Sequence, residues 1–301
     1  MFFVPRPKTP IIPLIDMMID THVHTSLSDG LESLETVVSL AAEGGIGLIS
    51  VTDHDRVLAY PEATRLGEAC GVRVVPGVEM STMDEPGFSI MHIVGLGIGT
   101  GREVSSVLEQ IVRAQEESNR GFMENMNVFM ARRYPGWQPV TSIYPSVFVN
   151  TIESAKTIGL NITEKEMMDV ILNKDLWVPI SLELTVDQVV EHIKRWGGVP
   201  VLAHPFDFSN DAAFLLKRFL KAGGEAIELC KYRYKVRSNA LSGLSPDDLI
   251  KREREMNLWT IGQARKHGLK LTMASDHHDD RRAMGMDPAE YGIDVQWLFE
   301  L

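Results

Sequence analysis

Two histidines stand two residues apart in Asp20-Thr21-His22-Val23-His24, and Asp29-Gly30 follows closely. On extended chain, residues i and i+2 point to one side, so both imidazoles can face a single metal ion. Further donors follow in Thr52-Asp53-His54-Asp55, Gly77-Val78-Glu79, His92 among apolar neighbours, Ala203-His204-Pro205 and Ser275-Asp276-His277-His278. All offer imidazole nitrogen or carboxylate oxygen and none a thiolate. Such a set suits Mn²⁺, Zn²⁺ or Fe²⁺ and disfavours a structural zinc, which usually draws on cysteine. Each residue also has an ordinary use. His92 can be a satisfied core histidine, Glu79 can cap a turn or pair with an arginine, and Asp53 or Asp276 can cap a helix. The shared placement of all of them at strand ends is what calls for chemistry.

The elements that must position them are legible as apolar runs. Seven runs rich in Val and Ile read as buried parallel strands: Met17–Ile19, Ile46–Val51, Val72–Val75, Ile90–Leu96, Val199–Ala203, Ala226–Leu229 and Leu269–Ala274. Every run except Ala226–Leu229 carries or ends in a metal-capable side chain. Helical segments separate most runs; Ser33–Glu43 is one, stopped by Gly44-Gly45. Strand and helix in alternation imply an α/β architecture with right-handed crossovers. In a barrel of parallel strands, the loops at their C-terminal ends converge on one face. His192 and His267 fall on helical segments, and His277 is the off-phase neighbour of His278.

Between Leu96 and Val199 the pattern turns helical. Thr163 with Glu166, and Thr185 with Gln188, form capping boxes, and Gly197-Gly198 stops the second helix before the fifth strand. We read residues 1–101 and 185–301 as two parts of one barrel, and residues 102–184 as a helical insertion or lid. Gln138–Asn161 shows no clear pattern.

Composition narrows the partners. With 30 basic and 41 acidic side chains the net charge is −11, which argues against coating long nucleic acid through phosphate neutralisation. A small phosphorylated substrate is still allowed, because bound cations can reverse the local sign. Two cysteines, Cys70 and Cys230, are too few for a disulfide framework. The N-terminal MFFVPRPKTPIIPLIDMMID is broken by prolines and Asp16, so it reads as neither signal peptide nor membrane span. A cytoplasmic location is the default expectation.

In these motifs the chain resembles the PHP (polymerase and histidinol phosphatase) superfamily. The segments that carry the resemblance are Asp20–His24, Thr52–Asp55, Pro76–Glu79, Val201–Pro205 and Ser275–His278, in family order. Ser28-Asp29-Gly30 and the helical insertion are similar to the branch of small phosphoesterases acting on nucleotides or RNA ends. The resemblance implies a distorted seven-stranded (β/α) barrel of PHP type with up to three divalent metals. His22, His24, Glu79 and Asp276 would hold the first ion. Glu79 would bridge to a second, bound by His92 and His204, and Asp29, His54 and His278 would hold the third. Asp53 and Asp55 become candidates for orienting imidazoles. Arg56 stands where close relatives often have threonine; it could meet substrate phosphate or form a surface ion pair. Lys231, in the basic Lys231–Arg237 run, has the same two uses. Arg113 and Arg120 lie two turns apart on the first insertion helix; similar proteins carry arginines on the equivalent helix, and Arg120 best fits that pattern, where it would contact a second phosphate or the sugar-phosphate of a nucleotide.

The physical chemistry of such a site is phosphate ester hydrolysis. Bound divalent ions lower the pKa of water from 15.7 toward ~7, making a metal-bound hydroxide available for in-line attack. Three such ions outweigh Asp29, Glu79 and Asp276, so an acidic protein can hold a phosphate dianion. The leaving-group acid stays open between a metal-bound water and Asp55. The expected substrate is a nucleoside mono- or 3′,5′-bisphosphate or an oligonucleotide end, with short RNA included. Histidinol phosphate is the alternative ester. An amidohydrolase is a weaker reading, because no lysine at a strand end offers itself for carboxylation. A non-catalytic metal or nucleotide-binding module is disfavoured by the complete ligand set.

Overall fold

The seven apolar runs become seven strands of one sheet, in sequence order: β1 (Met18–Val23), β2 (Ile46–Val51), β3 (Arg73–Ser81), β4 (His92–Leu96), β5 (Val199–Leu202), β6 (Ala226–Cys230) and β7 (Lys270–Ala274). This computed structural model describes residues 17–57, 60–88, 90–142, 150–151, 154–155, 157, 159–160, 162–207, 211–235 and 241–301. The N-terminal stretch 1–16, much of 138–161 and the end of the basic run at 236–237 lie outside the described residues.

The expectation of seven parallel strands is corrected at one place. β4 runs antiparallel to both β3 and β5. Only a short turn, bridged between Glu85 and Phe88, joins Ser81 to His92, and a parallel return would need a crossover of a dozen or more residues. The reversal has a consequence for the site. His92, the first residue of β4, pairs with Ser81, the last of β3, and so lies on the rim where the other strands end.

The sheet curls until its edges meet. Backbone bonds from His24 N to His277 O (2.9 Å) and from Asp276 N to His22 O (3.1 Å) join the β1 and β7 sides at the rim. The buried Asp20 carboxylate adds to this seam by accepting from Ser275 N at 3.0 Å and Gly285 N at 2.8 Å. Strand alternation puts Val94 and Leu96 on the same face of β4 as His92. These two cluster with Val75, Val199 and Val201, and with Val295 and Leu298 of the C-terminal turn. The barrel is therefore nearly closed, apolar below and lined with donors above.

Helices cover the outside. They include α1 (Leu34–Glu43), α2 (Tyr60–Cys70), α3 (Arg102–Arg133), α4 (Glu164–Ile171), α5 (Val186–Arg195), α6 (Ala212–Lys221), α7 (Pro246–His267) and α8 (Pro288–Tyr291). Both expected capping boxes form, at the starts of α4 and α5. Since β4 runs downward, α3 begins near the bottom of the barrel, where Gly99 N donates to Trp196 O. Its 32 residues extend about 48 Å. It therefore passes the rim at Gln115 and Glu116 and continues beyond. There Phe122, Met126 and Met130 pack with Trp137, Met167 and Val170 in an apolar cluster separate from the barrel's own. Among the described residues, no helix is long and apolar enough to cross a membrane.

Candidate metal centre

Glu79, the carboxylate that β3 delivers to the rim, lies at the centre of the site and is 1% exposed. Its Oε2 lies 3.1 Å from His22 Nε2, 3.2 Å from His24 Nε2 and 3.3 Å from His54 Nδ1. Its Oε1 lies 2.9 Å from His92 Nδ1 and 2.9 Å from His204 Nε2. One carboxylate thus faces five imidazoles, with its two oxygens turned to different groups. On one flank Asp276 Oδ1 lies 3.2 Å from His24 Nε2 and 3.6 Å from His22 Nε2. On the other, Asp29 meets His24 Nδ1 at 3.4 Å, His278 Nε2 at 3.3 Å and His54 Nε2 at 3.8 Å. All nine side chains named from the sequence come together. The donor groups are His22–His24–Glu79–Asp276, His24–Asp29–His54–His278 and His54–Glu79–His92, each with its ligand atoms within 4.8 Å of one another.

The backbone is bent to reach this arrangement. Asp55, His204 and Asp276 adopt φ of 51°, 23° and 54°, and they are the described non-glycine residues in left-handed conformation. Such conformations cost of order 1–3 kcal/mol each and concentrate where surroundings over-determine them. Gly30 serves a close approach: a Cβ there would lie 2.7 Å from the backbone of His24. The loop that presents Asp29 therefore has no room for a side chain at that position.

Residues behind the donors hold them in place, and some were not foreseen. Glu228, on β6, the one strand from which no ligand is expected, is fully buried with Oε2 3.0 Å from His22 Nδ1 and Oε1 accepting from His204 N at 3.0 Å. A glutamate inside an otherwise apolar strand was the signal available. Lys235 is buried against Asp207 and Asp276, and Arg282 reaches Asp276 Oδ2 at 2.8 Å. A further donor group, His204–Asp207–Asp276, thereby already has a cation in the Lys235 ammonium.

Asp53 accepts from Thr25 N, Thr25 Oγ1 and Ser28 Oγ at 2.6–2.8 Å, tying down the loop before Asp29. It reaches His24 only through Ser28, whose hydroxyl lies 3.5 Å from Nδ1. Asp55 accepts from Gln115 Nε2 of α3 at 2.8 Å rather than holding an imidazole. Arg56 pairs with Glu116 at 3.1 Å. Lys231 Nζ donates to the carbonyls of Ala283 and Met284, which spends its ammonium on the loop after β7. Arg120 is exposed on α3.

The field of the site demands positive charge. Burial works against protonating His24, yet Asp276, Glu79 and Asp29 lift it to about 10, and Glu79 with Glu228 raises His22 likewise. Burial opposes ionisation of Glu79 and Asp29, but the surrounding imidazoles hold both far below the ordinary carboxylate range. Burial pushes His54 down to about 4 and Asp55 up to about 7. Carboxylates that draw protons onto buried imidazoles are carboxylates suited to cations, and the nitrogen and oxygen donors fit divalent metal ions.

A family model described as the PHP domain matches residues 20–174. The chain belongs to the PHP domain family. Among relatives of this PHP protein is the 5'-3' exoribonuclease Rnm of Salmonella typhimurium, 29% identical over 276 residues that cover 87% of this chain and 85% of the relative. A phosphoribosyl 1,2-cyclic phosphate 1,2-diphosphodiesterase of Eggerthella lenta is 38% identical over 92 residues, covering 31% of this chain and 35% of that protein. The PHP fold is shared with a solved Bifidobacterium adolescentis structure described as that of a metal-dependent phosphoesterase. It matches at TM-score 0.67 and 20% identity, covering 93% of this chain and 98% of that one.

Proposed function

We propose that this protein is a metal-dependent phosphoesterase that hydrolyses a phosphate ester of a nucleotide or an RNA end. The observation that carries the reading is Glu79, whose two oxygens serve separate imidazole groups and so suit a bridge between cations. The likeness to an exoribonuclease over 87% of this chain favours RNA or nucleotide over histidinol phosphate. In this reading His22, His24, Glu79 and Asp276 hold one divalent ion, Glu79, His92 and His204 a second, and Asp29, His54 and His278 a third, with Mn²⁺, Zn²⁺ or Fe²⁺ as the candidates. Bound there, such ions supply a water ionised near neutral pH and positive charge for the phosphoryl oxygens.

The chain's own groups do the rest. Glu228 fixes the ring of His22, and the Asp53–Thr25–Ser28 bonds fix the loop that presents Asp29. The segment 102–184 acts as a lid over the rim, and Arg120 on its long helix contacts a second phosphate. A reducing cytoplasm is the proposed location, in keeping with two free cysteines.

A panel of esters incubated with Mn²⁺-, Zn²⁺- or Fe²⁺-loaded protein tests the reading: AMP, 3′,5′-bisphosphoadenosine, a 5′-phosphorylated RNA oligomer and histidinol phosphate. Nucleotide or RNA is expected to turn over fastest, and His54→Ala to lose at least about 100-fold. Unaltered activity in that variant contradicts the third ion. Arg120→Ala should raise KM for nucleotide and spare p-nitrophenyl phosphate; equal losses on both sink that contact.

A further inference from the structure

Beside the metal centre lies a cavity of about 350 Å³, between the loop after β1, the segment after β2 and the first half of α3. That volume is in the range of small-molecule sites. Leu27, Val57, Leu108 and Val112 give it apolar walls, and Leu27 remains 39% exposed. A flat ring could cover these side chains and gain by removing them from water.

The charges around the cavity decide what kind of ring. Asp55, Glu109 and Glu116 line it against Arg56 and Arg113. Both arginines face carboxylates: Arg56 pairs with Glu116 at 3.1 Å, and Arg113 with Glu109 at 3.7 Å. Each arginine is matched by a carboxylate, which leaves little net positive charge for a phosphate, while the carboxylate oxygens favour N–H and amino donors. Asp55 has an acceptor to offer. One of its oxygens takes the Gln115 amide, while Oδ1 is buried without a hydrogen-bond partner among the described residues. A buried acceptor left unmatched costs about 1–3 kcal/mol, so a ligand that donates to it gains accordingly. Asp55 directly follows His54, so a ring bound here lies one residue from the metal centre.

We propose that this cavity receives the nucleobase of the substrate. The inference rests on the reading of the ester as a nucleotide or RNA end, and adds that recognition extends to the base. The test compares substrates with and without a base. Mn²⁺-loaded protein is assayed on AMP, on the 5′-phosphorylated dinucleotide pApA and on ribose 5-phosphate, alongside Ser105→Trp and Ser105→Phe. Ser105 lines the cavity from the first turn of α3 and is only half-buried, so a large ring there fills the space at little risk to folding. Wild type should favour the better base-bearing ester over ribose 5-phosphate by about tenfold or more in kcat/KM. Both variants should lose that preference while keeping ribose 5-phosphate turnover and Tm. Variants that keep the full preference overturn the proposal, as does a wild type that shows none. If wild type cleaves no ester, the phosphoesterase reading fails by itself, and equilibrium dialysis with adenosine still reads the cavity. Binding by wild type that Ser105→Trp removes supports a base site, and equal or absent binding in both rejects it.

Discussion

Glu79 faces five imidazoles, and the groups behind those rings decide how well they hold their aim. His22 is the most constrained: its Nε2 looks into the site while its Nδ1 is held by Glu228 at 3.0 Å. A carboxylate behind a ligating imidazole fixes the ring and raises its basicity, and losing it typically costs 10–100-fold in metal affinity or activity. Glu228→Ala is therefore expected to lower Mn²⁺ content after dialysis and to cut kcat/KM by roughly 10–100-fold, with Glu228→Gln falling between the two. Elemental analysis beside kinetics checks this; full metal content with full activity in the alanine variant would remove Glu228 from the site's support.

At the scale of elements, the loop from His24 to Gly30 and the helix α3 carry the most consequence. Gly30 packs against the backbone of His24 and Thr25, with an added Cβ falling 2.7–2.9 Å from it. Backbone cannot yield as a side chain does, so Gly30→Ala should displace Asp29 from His54 and His278. The expected result is activity reduced by at least about tenfold with the far-ultraviolet circular dichroism preserved, since overpacking costs roughly 1–3 kcal/mol and the fold can absorb that. Undiminished activity would mean that the loop relaxes without moving its carboxylate. Among the described residues, the polar contacts of α3 with the rim include Gln115 to Asp55 and Glu116 to Arg56.

For the whole molecule, metal and stability are linked. The barrel gathers Asp29, Glu79 and Asp276 at one rim of a protein whose net charge is already −11. Ions that bind the folded chain and not the unfolded one stabilise it by mass action, about 2.7 kcal/mol for one site at a hundredfold excess over Kd. In a domain of this size that corresponds to a Tm roughly 4 °C higher. Dialysis against EDTA should lower Tm by that order, and Mn²⁺ should restore it. A melting curve indifferent to both treatments would count against metal binding by these groups.

The local motifs determined by themselves which residues could ligate and where the strands run. His22 and His24 are i and i+2 on extended chain, and strand alternation alone sends both to one side. The apolar runs marked all seven strands to within a few residues, except that β1 and β3 extend further along the donor motifs. Register and direction were not legible, because an apolar run has no arrow. That β4 turns back depends on the short Ser81–His92 connection, and this reversal places His92 on the same rim as donors from the ends of parallel strands. Nor could one sequence tell that Glu228 would lie behind His22 across 206 positions of chain, that Lys235 would neutralise Asp207 and Asp276, or that Lys231 would be consumed by backbone carbonyls. Ligand identity follows from residue type and local period, which the chain carries within a few positions. Partnership follows from closure of the barrel, which only the tertiary structure brings about.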